Sequence, residues 1–447
     1  MNAAFGLEQG IYCVDGGFLR MNLKKFMEEK LAPIAYKLAT NKILLAVRNG
    51  LAMSMPLIMA GSLLMIIASF PIQAWKDLLK DAGIVGYLWK GVDSSFGLVS
   101  LIAAFGVAME YAKMHDIDGL SAGIISVGSF ITLTPFVKGE AGAGVPTQFL
   151  GASGLFVALV VALVSSRVYI WFIKRNIQIT LPETVPPAVA RSFSGIIPGI
   201  VIISGWLAIF ATLDAFGLPN MHILIQQILS KPVRLFTNNL LGTCVVAGLN
   251  GLFWFVGVHG ADTVHTFFGP TWLENINANM EAVKAGLPLP HIVTNPFMMN
   301  FVYIGGGGAT LGLVIVLAIL ARRKNASKQA KALAPITFTP GIFNINEPTI
   351  FGVPVVLNFK LLIPFVFTPI VNAIITYTTM AIGIVPRTCA MPTWTMPPIL
   401  SGFFATGSIM GSILQIVLIV IDILIYAPFV MELEKDYKKL EEAGEKE

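Results

Sequence analysis

Long apolar runs alternate with short charged clusters along almost the whole chain. Asp, Glu, Lys and Arg are absent from long runs that include residues 49–75, 94–109, 119–137, 141–166, 192–213, 235–261, 285–321, 361–386 and 388–421. A helix that crosses the hydrocarbon core of a bilayer needs about 20 apolar residues. Only helices satisfy their own backbone in lipid, and the spacing does not fit the strands of a barrel. The pattern therefore predicts an all-α, polytopic membrane protein with about eight to ten spans.

Basic residues cluster beside these runs, as they do at the cytoplasmic ends of membrane helices. The clusters are Lys24, Lys25, Lys30, Lys37, Lys42 and Arg48; Arg167, Lys174 and Arg175; and Arg322, Arg323, Lys324, Lys328 and Lys331. By the positive-inside rule, we expect all of them to face the cytoplasm. Residues 432–447 mix Glu and Lys and predict a short solvated helix on the same side. Residues 220–236 fit either an interfacial helix or an ordinary loop, because apolar side chains recur at helical spacing among polar ones.

Composition excludes several classes of protein. Hydrophobic residues make up 55% of the chain and charged residues 12%, whereas a soluble domain carries about 25% charged residues. The net charge of +5 does not indicate nucleic-acid binding, because the basic residues are scattered between apolar runs. Cys13, Cys244 and Cys389 lie far apart, so we expect no disulfide, metal site or cofactor. We expect no signal peptide, because the first strongly apolar run begins only after Arg48.

Three membrane-like segments contain residues that break helices: 253–271, 337–354 and 391–398. Proline removes a backbone donor and kinks a helix. Irregular backbone at membrane depth survives only where it is buried in protein or lines a watery cavity. Transporters use such broken elements to present polar groups to a substrate. We therefore expect these segments to meet around a binding site.

The few polar side chains that are unfavourable in lipid lie in these segments. His259 lies between Gly257 and Gly260, Glu347 precedes a proline, and Trp394 lies between threonines. Such residues at membrane depth indicate a functional site. A contact between helices is the alternative for His259 and Glu347, and an interfacial tryptophan belt is the alternative for Trp394.

These residue types suit a sugar. Hydroxyl groups need carboxylate, amide and imidazole partners, and the candidates that supply them are His259, Asn300, Asn344, Asn346 and Glu347. The apolar face of a sugar ring would stack on an indole such as Trp254 or Trp394. The four glycines at 305–308 predict close helix packing or a bend rather than a phosphate-binding loop, because no lysine follows them.

Three motifs resemble those of one family. They are Asn-Ile-Asn-Glu-Pro-Thr-Ile-Phe-Gly-Val-Pro at 344–354, Leu-Pro-Glu-Thr-Val-Pro-Pro at 181–187 and Phe-Val-Gly-Val-His-Gly at 255–260. From about residue 21 to the C-terminal tail, the chain resembles the enzyme IIC permease of the bacterial phosphoenolpyruvate-dependent sugar phosphotransferase system. Within that family it is most similar to the lactose/cellobiose/diacetylchitobiose branch.

The resemblance implies a homodimer in the bacterial inner membrane, with about ten transmembrane helices and re-entrant hairpins in each subunit. The expected parts are an N-terminal extension with an amphipathic segment at 1–40, a dimerisation half at 41–218, an interfacial connecting helix at 219–237, a sugar-binding half at 238–431 and a cytoplasmic tail at 432–447. The resemblance also implies sugar contacts at His259 and Glu347, with Gly260 completing the first of the two motifs.

Partners and substrate follow from the same resemblance. A separate IIB protein, with IIA upstream of it, carries the phosphoryl group on a cysteine and phosphorylates the bound sugar. None of the three cysteines of this chain lies in a context suited to that role. The expected substrate is a β-linked disaccharide of the cellobiose or diacetylchitobiose type. We expect His259 and Glu347 to hold its phosphoryl-accepting hydroxyl. Both are catalytic candidates, because a neutral His259 imidazole or the Glu347 carboxylate can accept the proton of that hydroxyl. Glu347 is favoured as the base because partial desolvation makes a carboxylate more basic.

The residues alone leave other functions open. An ion-coupled secondary transporter would need a relay of charged side chains in the membrane, for which Asp262 and Asp422 are the further candidates. A scaffolding membrane protein would not need broken segments that carry polar side chains.

Overall fold

A computed structural model describes residue 29 and residues 32–70, 72–139, 142–182, 184–353 and 355–444. Most of the predicted N-terminal extension, residues 1–28, 30 and 31, lies outside the described residues. The described part is mostly helical, with one short exposed β-hairpin. The prediction of an all-α architecture is therefore confirmed apart from that hairpin.

Helices of the first part of the chain begin and end as follows: α1 (Ala32–Ala39), α2 (Lys42–Ala52), α3 (Met55–Ser69), α4 (Gln73–Asp81), α5 (Val85–Phe96), α6 (Val99–Lys113), α7 (Gly119–Leu133), α8 (Thr147–Leu150), α9 (Leu155–Lys174), α10 (Pro187–Ser194) and α11 (Ile196–Ala215). Strands β1 (Val137–Gly139) and β2 (Gly142–Gly144) form the antiparallel hairpin. Side chains cap two of these helices at their N-termini. Asn41 accepts hydrogen bonds from backbone N–H groups of α2, and Asp118 accepts one from α7.

Helix α6 lies at the centre of this first part and packs against α2, α7 and α9. Small residues make the approach possible. A Cβ added to Gly50 on α2 would lie 2.4 Å from the backbone nitrogen of Val107 on α6. Close contact through small residues is the usual way in which membrane helices associate, since lipid supplies little hydrophobic driving force between them.

The second part contains α12 (Met221–Ile225), α13 (Lys231–Thr237), α14 (Leu240–Phe255), α15 (Gly260–Ala285), α16 (Leu311–Ala321), α17 (Lys328–Ile342), α18 (Glu347–Gly352), α19 (Phe359–Ala381), α20 (Leu400–Thr406) and α21 (Ile409–Gly444). π-Helical turns occupy Gln226–Ser230 and Phe297–Val302. Helix α14 packs against α19, and α16 packs against α17 and α21. Apolar side chains of α15, namely Leu273, Ile276 and Met280, belong to the hydrophobic core of the first part.

Six helices of the described residues are long and apolar enough to cross a membrane, and three shorter helices are also apolar. This confirms a polytopic membrane protein, while the expected total of spans stays a prediction. Several apolar runs are not single helices, and two of them contain long irregular stretches. The run 285–321 contains an irregular stretch, a π-helical turn and a glycine loop before α16, and the run 388–421 is irregular until Leu400. Proline and glycine within these runs explain the breaks.

The charged tail differs from its prediction in one respect. It is helical as expected, but it continues α21 without a break as far as Gly444. Glu434 accepts hydrogen bonds from the backbone and hydroxyl of Ser327, and Lys360 at the start of α19 pairs with Asp436. These contacts hold the end of α21 beside the N-termini of α17 and α19. The predicted interfacial segment 220–236 is also helical, in α12, a π-helical turn and α13.

Candidate functional site

The first predicted break lies between α14 and α15, at residues 256–259. Gly257 has a φ of +81°, a conformation that glycine adopts readily. His259 then caps α15, with its Nδ1 accepting a hydrogen bond of 3.1 Å from the backbone N–H of Asp262. A ring nitrogen that accepts this bond carries no proton, so the neutral imidazole carries its proton on Nε2. Residues 260–271 continue as helix, so the break is shorter than predicted.

His259 and Glu347 face each other. Glu347 is the first residue of α18, and its Oε1 lies 3.6 Å from His259 Nε2. That distance is too long for a direct hydrogen bond. Both side chains are partly exposed, at 38% for His259 and 47% for Glu347. An Nε2–H donor and a carboxylate acceptor therefore lie next to each other, and a hydroxyl group placed beside them can reach both at about 2.8 Å.

Asn344 joins two of the three broken segments, 337–354 and 391–398, to the glycine loop at residues 305–308. It adopts a positive φ of 59° in the turn before α18. Its Oδ1 accepts from the backbone N–H of Gly305 at 2.7 Å, and its Nδ2 donates to the carbonyl oxygen of Trp394 at 2.5 Å. Both ends of this amide are thus bonded to backbone, so the side chain holds the framework of the site.

The glycine loop, residues 305–308, is a bend, which was one of the two alternatives that the sequence predicted. Gly305, Gly306 and Gly308 all have positive φ. Asn346 Nδ2 donates to the carbonyl oxygen of Gly307 at 2.7 Å, and a Cβ on Gly306 would lie 2.5 Å from Asn346 Cγ. The loop therefore lies against the Asn-Glu-Pro motif, and its glycines permit that approach.

Trp254 lies behind His259, with the two ring centroids 4.1 Å apart. Its indole is only 3% exposed, which leaves no open face for a sugar ring to stack on. Asn250, one helical turn earlier, is fully buried, and neither end of its amide has a hydrogen-bond partner among the described residues. A Cβ on Gly260 would lie 2.1 Å from the carbonyl oxygen of Asn250. Glycine at 260 therefore lets α15 begin directly against α14.

Two other predicted residues differ in their surroundings. Trp394 is 45% exposed in the irregular segment before α20, so its indole is accessible. Asn300 lies in the π-helical turn and is 2% exposed, and its amide has no partner in the described part of the chain. The carbonyl oxygen of Asn300 accepts from Gln415 Nε2 at 2.6 Å. The structure thus brings together seven of the eight predicted residues through direct contacts or backbone bonds, and Asn300 is the exception.

Sequence reasoning missed one charged contact of the site. Arg48 on α2 donates from Nη1 to Asp262 Oδ2 at 3.1 Å, and the same carboxylate oxygen lies 3.3 Å from His259 Nδ1. The two partners are 214 positions apart, so no local pattern could have paired them. Asn250 was also missed, although an asparagine inside the apolar run 235–261 is a signal that could have revealed it.

Membrane-spanning helices and a partly exposed polar site at the breaks between them define a polytopic membrane transporter. Residues 48–369 match the family model described as Phosphotransferase system, EIIC. The chain belongs to this family and is therefore the sugar permease component, IIC, of a phosphotransferase system. It is an integral membrane protein that acts with a IIB protein on a sugar, which confirms the family prediction and supports it over the ion-coupled alternative.

Similar proteins cover nearly the whole chain. The lichenan permease IIC component of Bacillus subtilis (strain 168) is 38% identical over 443 residues, which are 95% of this chain and 96% of that protein. The cellobiose-specific EIIC component of Geobacillus stearothermophilus is 38% identical over 433 residues, covering 92% and 93%. The crystal structure of the transporter ChbC, the IIC component of the N,N'-diacetylchitobiose-specific system, superposes with a TM-score of 0.87 at 34% identity, covering 93% of this chain and 99% of ChbC.

Proposed function

We propose that this permease binds a β-linked disaccharide of the cellobiose or diacetylchitobiose type and presents it to phosphorylated IIB. The facing pair of His259 Nε2 and Glu347 Oε1, 3.6 Å apart, is the observation that carries the proposal. A donor and a charged acceptor at that spacing suit one sugar hydroxyl. The names of the relatives, which specify lichenan, cellobiose and diacetylchitobiose, support the substrate class.

The predicted residues take different roles in this proposal. His259 and Glu347 hold the hydroxyl that accepts the phosphoryl group. Trp394, with its exposed indole, stacks on a sugar ring. Asn344 and Asn346 position the glycine loop through their bonds to Gly305 and Gly307. Trp254 and Gly260 form the floor of the site. Asn300 lies apart from this cluster, and its contact with the sugar stays a prediction.

The proposed assembly is a homodimer with about ten spans and re-entrant hairpins per subunit, together with IIA and IIB. Residues 41–218 form the dimer contact, 219–237 connect the halves, and 238–431 hold the sugar and move between the membrane faces as a unit. Exposed apolar residues on α11 support a contact there, since Ile200 is 62% exposed and Leu207 53% exposed. In a single chain, these side chains face lipid or a second subunit.

Single cysteines placed on the exposed face of α11, for example Ile200→Cys or Leu207→Cys, are expected to crosslink two subunits in membranes. The expected product is a covalent dimer on a non-reducing gel, formed in a background without Cys13, Cys244 and Cys389. Matched cysteines on exposed positions of α19, such as Ile363→Cys, serve as the comparison, since Ile363 is 53% exposed. Crosslinks that formed only through positions after residue 240 would contradict the assignment of the dimer contact.

Transport assays test the function directly. Membrane vesicles that contain the permease should accumulate a labelled disaccharide only with phosphoenolpyruvate and the soluble phosphotransfer proteins, and the sugar should arrive phosphorylated. A panel of cellobiose, diacetylchitobiose, lactose and a monosaccharide then ranks the substrates. Uptake that follows an ion gradient and needs no phosphotransfer protein would refute the proposal.

A further inference from the structure

Arg48 connects the first part of the chain to the sugar site in the second. Its Nη1 lies 3.1 Å from Asp262 Oδ2, and that oxygen lies 3.3 Å from His259 Nδ1. The other nitrogen of the same imidazole lies 3.6 Å from Glu347. The guanidinium also donates from Nε to Asn49 Oδ1 at 3.0 Å, which orients its planar group. A permanently charged cation is thus held within two contacts of the proposed sugar-binding pair.

A small cavity of about 40 Å³ lies between the two parts at this point. Arg48, His259, Asp262, Thr263 and Thr266 line it, together with leucines of α1 and α2. Much of its lining is apolar, but the polar groups of Arg48, His259 and Asp262 and its volume allow a water molecule to occupy it. The guanidinium therefore borders a space that adjoins the imidazole, in addition to its contact with a carboxylate.

The chemistry of the reaction calls for a cation here. A phosphoryl group that arrives beside Glu347 and Asp262 brings about two more negative charges. In phosphoryl transfer, catalysis consists almost entirely of positioning and of stabilising the charge on the transferred oxygens. An arginine supplies paired N–H donors in a fork that matches those oxygens. Among the lysines and arginines of the described residues, Arg48 is the one that pairs with a carboxylate of this site.

The positive-inside rule predicts that Arg48 lies towards the cytoplasmic face, from which the phosphoryl group comes. Arg48 ends the basic cluster that precedes the first apolar run, and such clusters flank the cytoplasmic ends of membrane helices. Phosphorylated IIB approaches from the cytoplasm. Arg48 belongs to the part of the chain that does not carry the sugar. If the sugar-binding part moved away from the cytoplasmic face, His259 and Asp262 would therefore separate from Arg48.

We propose that Arg48 binds the phosphoryl group during its transfer, and that Asp262 holds the guanidinium in place until the group arrives. In this step the S–P bond of the phosphocysteine breaks and an O–P bond forms to the sugar hydroxyl. The hydroxyl proton passes to Glu347, and the cysteine leaves as a thiolate on IIB. Arg48 exchanges Asp262 for phosphoryl oxygens. This inference rests on the proposed function, because it assigns a further catalytic residue to the same site.

The test compares Arg48→Gln with wild type in the full-length protein, reconstituted in lipid. Glutamine keeps an N–H donor for Asp262 but removes the charge. Binding of unphosphorylated cellobiose or diacetylchitobiose is expected to stay unchanged. Single-turnover transfer from phosphorylated IIB to bound sugar is expected to fall about a hundredfold or more, and affinity for the phosphorylated sugar is expected to fall as well. Arg48→Lys, which keeps a charge without the fork, should show an intermediate loss of transfer.

Lys42→Gln is the matched control, because Lys42 lies on the same helix and donates to the carbonyl oxygen of Met114 instead of to a carboxylate of the site. It should transfer phosphate at the wild-type rate. Wild-type transfer in Arg48→Gln would overturn the inference, as would equal losses of affinity for sugar and phosphorylated sugar, which would mean that Arg48 only joins the two parts. Failure of the wild-type protein to bind any of these sugars would instead refute the proposed function.

Discussion

Glu347→Gln is expected to lower the affinity for the disaccharide by about ten- to a hundredfold while the protein still inserts and forms the proposed dimer. A hydrogen bond to a charged group contributes about 1.5–3 kcal/mol, and each 1.4 kcal/mol changes a binding constant about tenfold. The glutamine keeps the shape of the side chain but loses the charge. Because Glu347 is 47% exposed and lies at the start of a short helix, its replacement leaves the packing of the fold unchanged.

Titration calorimetry on the purified protein measures this effect. Glu432→Gln is a suitable control. Glu432 lies on α21, is 62% exposed and pairs with Lys360 at 3.3 Å. The control removes one carboxylate without touching the site, so its sugar affinity should match that of wild type. Unchanged affinity in Glu347→Gln would remove Glu347 from the site.

The second large effect concerns the chemical step. If Glu347 accepts the proton of the hydroxyl, Glu347→Gln should slow transfer to sugar that is already bound by about a hundred- to ten-thousandfold. His259→Gln should weaken binding but slow transfer much less. The neutral imidazole donates from Nε2 while Nδ1 accepts from the backbone of Asp262, so neither ring nitrogen is free to take a proton from the hydroxyl.

Rapid-quench experiments with saturating sugar and excess phosphorylated IIB separate transfer from binding. Wild-type single-turnover rates in both variants would mean that the two residues only position the sugar, and the base assignment would then fail. A larger loss of rate in His259→Gln than in Glu347→Gln would move the role of base to the imidazole.

Much of the site could be predicted from the sequence because its signals are local. A carboxylate before a proline and a histidine among glycines are costly in lipid unless they serve a purpose, and both carry helix-breaking neighbours. The structure indeed breaks the helix directly before His259 and directly before Glu347. Helix propensity and the free energy of burying a polar group depend on a residue and its close neighbours in the chain. Both can therefore be judged from one sequence.

Other features were decided by the tertiary structure. The amide side chain of Asn344 suits a sugar hydroxyl. It is instead hydrogen-bonded to the backbone of Gly305 and Trp394, which lie 39 and 50 positions away. Helix α15 contains Asp262, Glu274, Glu281 and Lys284. It was therefore not among the uncharged runs from which helices were predicted. Arg48 meets Asp262 across 214 positions.

Membrane segments, their broken points and the candidate pair of His259 and Glu347 were therefore determined by the sequence itself, since hydrophobicity and helix breaking act over a few residues. Only the tertiary structure decided which broken segments meet, which amides are consumed by backbone bonds, and which cation reaches the site. Those outcomes depend on how distant helices pack, and hydrogen bonds between residues far apart in the chain leave no periodic trace in one sequence.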